Sequence, residues 1–160
     1  MNYSYWEIKS WFTNVDFAII GSGIVGLSTA LHLKEKYPKS NILILEKGQL
    51  PNGASTKNAG FACFGSLSEI SSELKNHSIQ EVVDLVEKRW NGLSLLRQIL
   101  GDKNIDFKQL GGYELFDKNS DLFEDCASKL PEINQYLKPI YKEDVFTITS
   151  NNFNFANIKS

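Results

Sequence analysis

Cysteine is scarce in this sequence, and its scarcity argues against two ways of stabilising a small domain. Cys63 and Cys126 are the two cysteines of the 160-residue chain, and neither lies in a Cys-x-x-Cys motif or in a cysteine–histidine cluster. Disulfide frameworks and zinc sites need several such residues at short spacing. We therefore predict neither a disulfide framework nor a metal site, and a reducing cytoplasm fits this cysteine usage best.

Strong charge and long apolar runs are missing as well. The formal net charge is −2 and charged residues make up 22% of the chain, so nucleic acid and anionic lipid are not predicted partners. The uncharged stretch Phe17–Leu31 is shorter than the about 20 apolar residues that span a bilayer. Because Glu7 and Asp16 precede it without a basic segment, it is not a signal peptide either. We predict no membrane span.

Apolar residues are nevertheless sufficient for a globular fold. Hydrophobic residues make up 42% of the chain and aromatic residues 12%, which is enough to bury a sizeable core at this length. Aromatic side chains are dense in the first 15 residues, where we expect an arm that packs on the domain. These side chains are Tyr3, Tyr5, Trp6, Trp11 and Phe12.

The segment after this arm has the pattern of a βαβ unit. Phe17–Ile20 is uniformly apolar, as expected of a strand that is buried on both faces of a parallel sheet. A helix is predicted from about Ile24 to Tyr37, and Pro38 helps to stop it. Asn41–Glu46 supplies a second buried strand. This order predicts an α/β fold that begins with a Rossmann-type unit.

A glycine-rich loop joins the first predicted strand to the helix. The loop and the start of the helix comprise Gly21, Ser22, Gly23, Ile24, Val25 and Gly26. The first glycine permits the tight turn, the second lets the backbone approach a pyrophosphate, and the third lets the helix pack closely on the strand. The helix N-terminus offers N–H groups and the positive end of its dipole to phosphate.

An acidic residue completes the nucleotide-binding pattern. Glu46, followed by Lys47, stands at the carboxyl end of the second strand. There a carboxylate accepts hydrogen bonds from ribose hydroxyls and repels a 2′-phosphate. The glycine loop and Glu46 together predict a site for the ADP moiety of a cofactor and disfavour NADP.

A second segment of small residues makes the sequence resemble one family. Gly53-Ala-Ser-Thr-Lys-Asn-Ala-Gly60, coming after Glu46, is similar to a loop of the D-amino-acid oxidase-like FAD-dependent oxidoreductases. The resemblance covers roughly Asp16 to Ser66, with weaker echoes in Tyr113–Phe116. It implies FAD as the cofactor. It also implies a diphosphate and ribityl contact for Ala54, Ser55 and Thr56, and an isoalloxazine contact for Asn58, Ala59 and Gly60.

The sequence after this loop predicts helices and short strands. A capping box at Ser78–Glu81 opens a long amphipathic helix that ends at Gly101. Ile105–Phe116 is predicted to form a strand, a glycine turn and a strand. Leu122–Leu137 is predicted to be helical in part, with an interruption at Pro131. The last 20 residues are β-prone without a clear pattern.

Two domains follow from these predictions. Residues 1–66 hold the arm, the FAD-binding βαβ unit and the flavin loop, whereas residues 67–160 hold a helical connection and part of a mixed α+β substrate domain. Family members run longer, so the resemblance implies an N-terminal fragment. Cys63 is expected to be a small buried residue near the cofactor loop rather than a covalent flavin attachment.

The resemblance implies an FAD-dependent oxidoreductase that acts on a small-molecule amine or amino acid, giving an imine that water hydrolyses. The flavin carries this chemistry and the protein binds and orients it. The sequence assigns no catalytic acid, base or nucleophile and no oligomeric state. Two alternatives stay open: an NAD-dependent dehydrogenase, on the same glycine loop, and a non-catalytic nucleotide-binding module.

Overall fold

The computed structural model of the chain describes residues 3–117, 120–149 and 158–159. The chain divides into two compact units, Met1–Phe61 and Ala62–Ser160. Helices and short sheets occur in the described ranges, and one of the sheets is parallel. The predicted α/β class is therefore confirmed as a mixed α/β fold with a short parallel sheet.

The N-terminal arm is helical and leaves most of its aromatic rings exposed, whereas Phe12 is half-buried. Helix α1 (Tyr5–Glu7) begins with a capping box, in which Ser4 accepts from the Glu7 N–H, and continues as a π-helix over Ile8–Phe12. Trp6 is 69% exposed and Trp11 is 57% exposed. The prediction that the arm packs on the domain is wrong, because four of its five rings are exposed. The ring contacts join Tyr3 to Phe12 and Tyr5 to Trp6, within the arm itself.

The βαβ order predicted for the first unit is confirmed. Strand β1 (Phe17–Ile20) is followed by helix α2 (Ile24–Lys36) and strand β2 (Ile42–Leu45). The strands pair in parallel, with Phe17 opposite Ile42 and Ile20 opposite Leu45. This register brings the carboxyl ends of both strands to the same edge of the sheet.

The burial predicted for β1 and β2 is wrong. The residues of β1 alternate between half-buried and exposed, with Ile20 81% exposed. Those of β2 are half-buried except for the exposed Leu45. Parallel sheets bury both faces when helices cover both of them. The described part of the first unit provides two paired strands and the single helix α2 between them, so apolar side chains of β1 remain accessible.

The second unit contains a helical core. Helices α3 (Leu67–Glu73), α4 (Ile79–Leu100) and α5 (Asp121–Tyr141) contribute most of it. The predicted helix over α4 is confirmed, because it begins at the Ser78 capping box and ends at Gly101, which has φ +78°. The buried apolar side chains of the described residues form one cluster of Leu67, Ile70, Val82, Val86, Phe116, Cys126, Ile133 and Leu137.

Two predictions for this unit are wrong. Helix α5 is continuous through Pro131 and also contains Pro139. Both prolines lie on the exposed side of the helix, and the apolar face that the helix buries outweighs the local preference against proline. The predicted hairpin over Ile105–Phe116 is absent.

The end of that segment forms a short strand that pairs with a distant part of the chain. Strand β3 (Phe116–Asp117) pairs antiparallel with β4 (Ile158–Lys159), which is far away in sequence. The pairing is long-range, so local turn signals did not indicate it. The rest of the predicted β-prone tail includes residues 150–157 and 160, which lie outside the described residues.

Candidate functional site

The glycine loop occupies the turn between β1 and α2. Gly21 has φ +93°, a conformation that L side chains rarely adopt, and its N–H donates to the Leu45 carbonyl at 2.7 Å. This bond continues the pairing of the two strands by one step beyond Ile20. The glycine therefore lets the chain leave the sheet edge and turn directly into the helix.

Two further glycines stand where a side chain would be crowded, severely at position 26 and mildly at position 23. A Cβ at position 26 would lie 2.0 Å from the Gly21 carbonyl oxygen, so the backbone would have to shift. A Cβ at position 23 would lie 3.0 Å from Ser55 Oγ. The glycines keep the loop close to the helix and keep its outer side open to a ligand.

The start of α2 supplies hydrogen-bond donors. The Leu27 N–H bonds to the Gly23 carbonyl and the Ile24 N–H donates to Ser55 Oγ at 3.0 Å. Within the described ranges, the N–H groups of Gly23, Val25 and Gly26 have no acceptor. Free amides at the positive end of a helix suit an anionic phosphate. The residues at this turn therefore fit a pyrophosphate.

Glu46 lies beside the glycine loop and is held on both carboxylate oxygens. Its Oε2 accepts from the N–H and the hydroxyl of Ser22, each at 2.8 Å. Its Oε1 accepts from the N–H of Lys47 at 3.1 Å and of Gly48 at 3.4 Å. The backbone and side-chain hydrogen bonds from Ser22, followed by those from the Gly48 and Lys47 amides, lower the pKa of Glu46. The side chain is exposed and is a carboxylate at neutral pH.

The second small-residue loop contains a 3₁₀ turn over Ala54–Thr56. Thr56 Oγ1 donates to the Gly53 carbonyl at 3.1 Å, and Asn58 Nδ2 donates to the Ser55 carbonyl at 2.7 Å. Asn58 Oδ1 in turn accepts from the Gly60 N–H at 2.8 Å. These bonds order the loop from within, and Ser55 Oγ joins it to the glycine loop.

The structure brings only part of the predicted site together. Ser22, Glu46 and Ser55 make hydrogen bonds to or within the glycine loop. No hydrogen bond from the described residues joins that loop to Ala54, Thr56, Asn58, Ala59 or Gly60. Lys47 contributes its backbone N–H to Glu46. The cofactor contacts proposed for all of these residues stay predictions.

Sequence reasoning missed one participant and misjudged another residue. The Gly48 N–H, which contacts the Glu46 carboxylate, was not predicted, although a glycine just after a strand is a turn signal that indicates it. Cys63 is exposed, so the expectation of a buried cysteine is wrong. The segment around it has little apolar packing, since Phe61 is 84% exposed.

The described residues include neither a membrane-spanning helix nor a cluster of metal ligands. No helix in those ranges combines the length and the apolar character needed to cross a bilayer. The same ranges contain no group of three or more histidine, cysteine, aspartate or glutamate side chains that is arranged to hold a metal ion.

Comparison with protein families gives a match over most of the chain. The model of the DAO family, described as FAD dependent oxidoreductase, matches residues 16–143. The match begins at the residue before β1 and extends past the end of α5. The arm before residue 16 lies outside it.

Individual relatives share shorter or more distant similarity. L-2-hydroxyglutarate dehydrogenases of Escherichia coli K12 and Salmonella houtenae are 53% identical over 36 residues, which is 22% of this chain and 8% of theirs. An uncharacterized protein of Methanocaldococcus jannaschii is 31% identical over 124 residues, covering 69% of this chain and 32% of its own. The chain thus spans about a third or less of these relatives. No solved structure matches significantly.

Proposed function

The chain belongs to the DAO family of FAD dependent oxidoreductases, which bind FAD, and from this membership we propose that its first unit holds the ADP moiety of FAD in a flavoenzyme. One observation carries the proposal. The glycine loop, the N-terminus of α2 and the Glu46 carboxylate meet at the carboxyl edge of the β1–β2 pair. Ligands of open α/β sheets bind at this edge.

Each group at the edge has a task that its chemistry supports. The free amides of Gly23, Val25 and Gly26 donate to the pyrophosphate, with the helix dipole adding to the attraction. The ionised Glu46 carboxylate accepts hydrogen bonds from the ribose hydroxyls. The loop Gly53–Gly60 continues along the ribityl chain, where small residues permit close approach. Family membership favours FAD over NAD as the cofactor.

Bound FAD would supply two-electron redox chemistry, and this chain's residues would hold and orient it. We propose an amine or an amino acid as the substrate class, on the resemblance to D-amino-acid oxidase-like proteins. A 2-hydroxy acid is the second candidate, favoured by the similarity to L-2-hydroxyglutarate dehydrogenases. Both classes carry hydrogen and an amino or hydroxyl group on the carbon that is oxidised.

Flavin binding tests the proposal directly. The full chain, purified and mixed with FAD, is expected to retain the flavin on desalting and to show its visible absorption bands. Anaerobic addition of an amino acid or of L-2-hydroxyglutarate then separates the substrate classes, because only a substrate bleaches the bands. Flavin binding without bleaching by any amine, amino acid or 2-hydroxy acid favours the non-catalytic module. A protein that binds neither FAD nor ADP contradicts the proposal.

A glycine substitution localises the site. In Gly26→Ala the new Cβ would clash with the Gly21 carbonyl, so we expect the affinity for ADP, measured by calorimetry, to fall by about tenfold or more. Gly92→Ala is the matched control, because Gly92 is also helical but has open space around it. Equal affinity of Gly26→Ala and wild type would move the site away from this turn.

A further inference from the structure

Ser22 occupies the position between the first two glycines of the loop, where the nucleotide-binding pattern accepts any residue. Its main chain alone is enough to form the turn. In this chain, however, both its N–H and its hydroxyl point to one oxygen of Glu46, at 2.8 Å each. The hydroxyl thus makes a bond that the turn itself does not require.

The geometry around Glu46 shows what that bond does. The Oε1 atom is held by amides of its own chain segment, Lys47 and Gly48. Among the described residues, the Oε2 atom accepts hydrogen bonds from Ser22 alone, which is 24 residues away in sequence. Glu46 is exposed and forms no ion pair within the described ranges. Without the Ser22 hydroxyl, a flexible glutamate side chain keeps one cross-loop hydrogen bond instead of two.

We propose that Ser22 is a positioning residue, whose hydroxyl fixes the Glu46 carboxylate in the orientation that accepts a hydrogen bond from the adenosine ribose. Ser22 thereby sets the selectivity for the ribose 2′-hydroxyl. This inference rests on the proposed function. A carboxylate has about four acceptor sites, and Ser22 fills the two on Oε2. The oxygen that can accept from a ribose hydroxyl is therefore Oε1, where the bond from the Gly48 N–H is long, at 3.4 Å. The hydrogen bonds from Ser22 are the largest cause of the lowered pKa of Glu46, and the lowered pKa keeps the carboxylate ionised.

A positioning role predicts a pattern of affinities that a structural role does not. Two hydrogen bonds orient a side chain better than one, so loss of the hydroxyl should weaken recognition of the ribose but leave the pyrophosphate contacts intact. The effect of Ser22 should also depend on Glu46, because residues that act through each other are not additive.

The test uses ADP and 2′-deoxy-ADP with the full chain, by calorimetry. We expect wild type to bind ADP about three- to tenfold more tightly than 2′-deoxy-ADP, the range for one hydrogen bond. Ser22→Ala is expected to lose most of this preference, and Ser22→Thr to restore it. In a Glu46→Ala background, which has no acceptor for Ser22, Ser22→Ala is expected to change neither affinity further. Circular dichroism of each variant checks that the fold is retained.

The outcomes separate this inference from the proposed function. If wild type binds neither FAD nor ADP, the proposed function fails and takes the inference with it. If wild type binds both but shows no preference for the 2′-hydroxyl, or if Ser22→Ala keeps that preference, the inference alone is overturned. Additive effects of Ser22→Ala and Glu46→Ala overturn it as well, because Ser22 then acts on the ligand independently of Glu46.

Discussion

The two units of the chain are stabilised by different interactions. In the described part of the first unit Ser40 is the only buried residue, and the glycine loop is held by the hydrogen bonds that it donates to Glu46 and Ser55. In the second unit, by contrast, α3, α4 and α5 surround a cluster of buried apolar side chains, among them Ile133 and Leu137 at 1% exposure each.

The candidate binding site and most of the buried apolar surface therefore belong to different units. Apolar burial is the dominant favourable term in folding, so the second unit has the larger share of it. The first unit places polar groups and free amides at a sheet edge, where a ligand can bond to them. Since a ligand stabilises what it binds, we expect ADP or FAD to increase the hydrogen-exchange protection of the first unit more than that of the second.

The largest effect on stability is expected from a cavity in the second unit. Ile133→Ala removes a fully buried side chain from α5 and should lower the free energy of unfolding by about 2–5 kcal/mol. Urea unfolding followed by circular dichroism measures the loss. Leu122→Ala, on the same helix at 46% exposure, is the control and should cost less than about 1 kcal/mol. Equal losses would show that burial does not set the stability of this unit.

A buried polar residue should give a smaller loss in the same unit. Asn134 is 5% exposed; its Oδ1 accepts from the N–H groups of Val145 and Phe146, and its Nδ2 donates to the Phe146 carbonyl at 2.8 Å. Asn134→Ala leaves these backbone groups without their partner, at a cost of about 1–3 kcal/mol. Gln135→Ala, at the exposed neighbouring position, should be close to neutral in the same urea titration. A larger loss from Gln135→Ala would contradict the role of the buried amide.

The parts of the fold that sequence predicts well are those with local causes. The order β1, α2, β2 followed from an apolar run, a glycine turn and a second apolar run, and the capping box at Ser78 marked the start of α4. Interactions between distant residues were not predictable in the same way. The strand at Phe116 pairs with Ile158, and α5 continues through Pro131 because its buried face favours the helix.

The candidate site also has features that local sequence predicts and features that depend on distant residues. The glycines and Glu46 could be predicted, since a tight turn and a strand-end acid have recognisable spacing. The hydrogen bonds that connect them could not, because Ser22 and Glu46 are 24 residues apart and Ile24 and Ser55 are 31 apart. Their contact depends on the register of β1 with β2, and a one-residue shift would move Glu46 away from the loop.

The smallest expected effect is a pH dependence that belongs to the first unit. The hydrogen bonds from Ser22 hold the pKa of Glu46 below its usual range. A carboxyl with a lowered pKa in the folded state contributes stability above its unfolded pKa, about 4.3, and loses that contribution as the pH falls through the folded value. ADP affinity and the protection of the glycine loop should therefore be level near neutrality and decline in the acid range.

Glu46→Gln is the variant that isolates this contribution. A neutral amide has no carboxylate to protonate, so the pH profile of ADP affinity for this variant should lack the part of the acid decline that Glu46 causes. ADP binding near pH 7 should be weaker than in wild type. Glu35→Gln is a matched control on α2, where Glu35 pairs with His32 away from the loop, and its ADP profile should follow wild type. If the ADP affinity of Glu46→Gln declines in acid as that of wild type does, groups other than Glu46 cause the acid sensitivity. The polar contacts at Glu46 then do not give the first unit a pH dependence of its own.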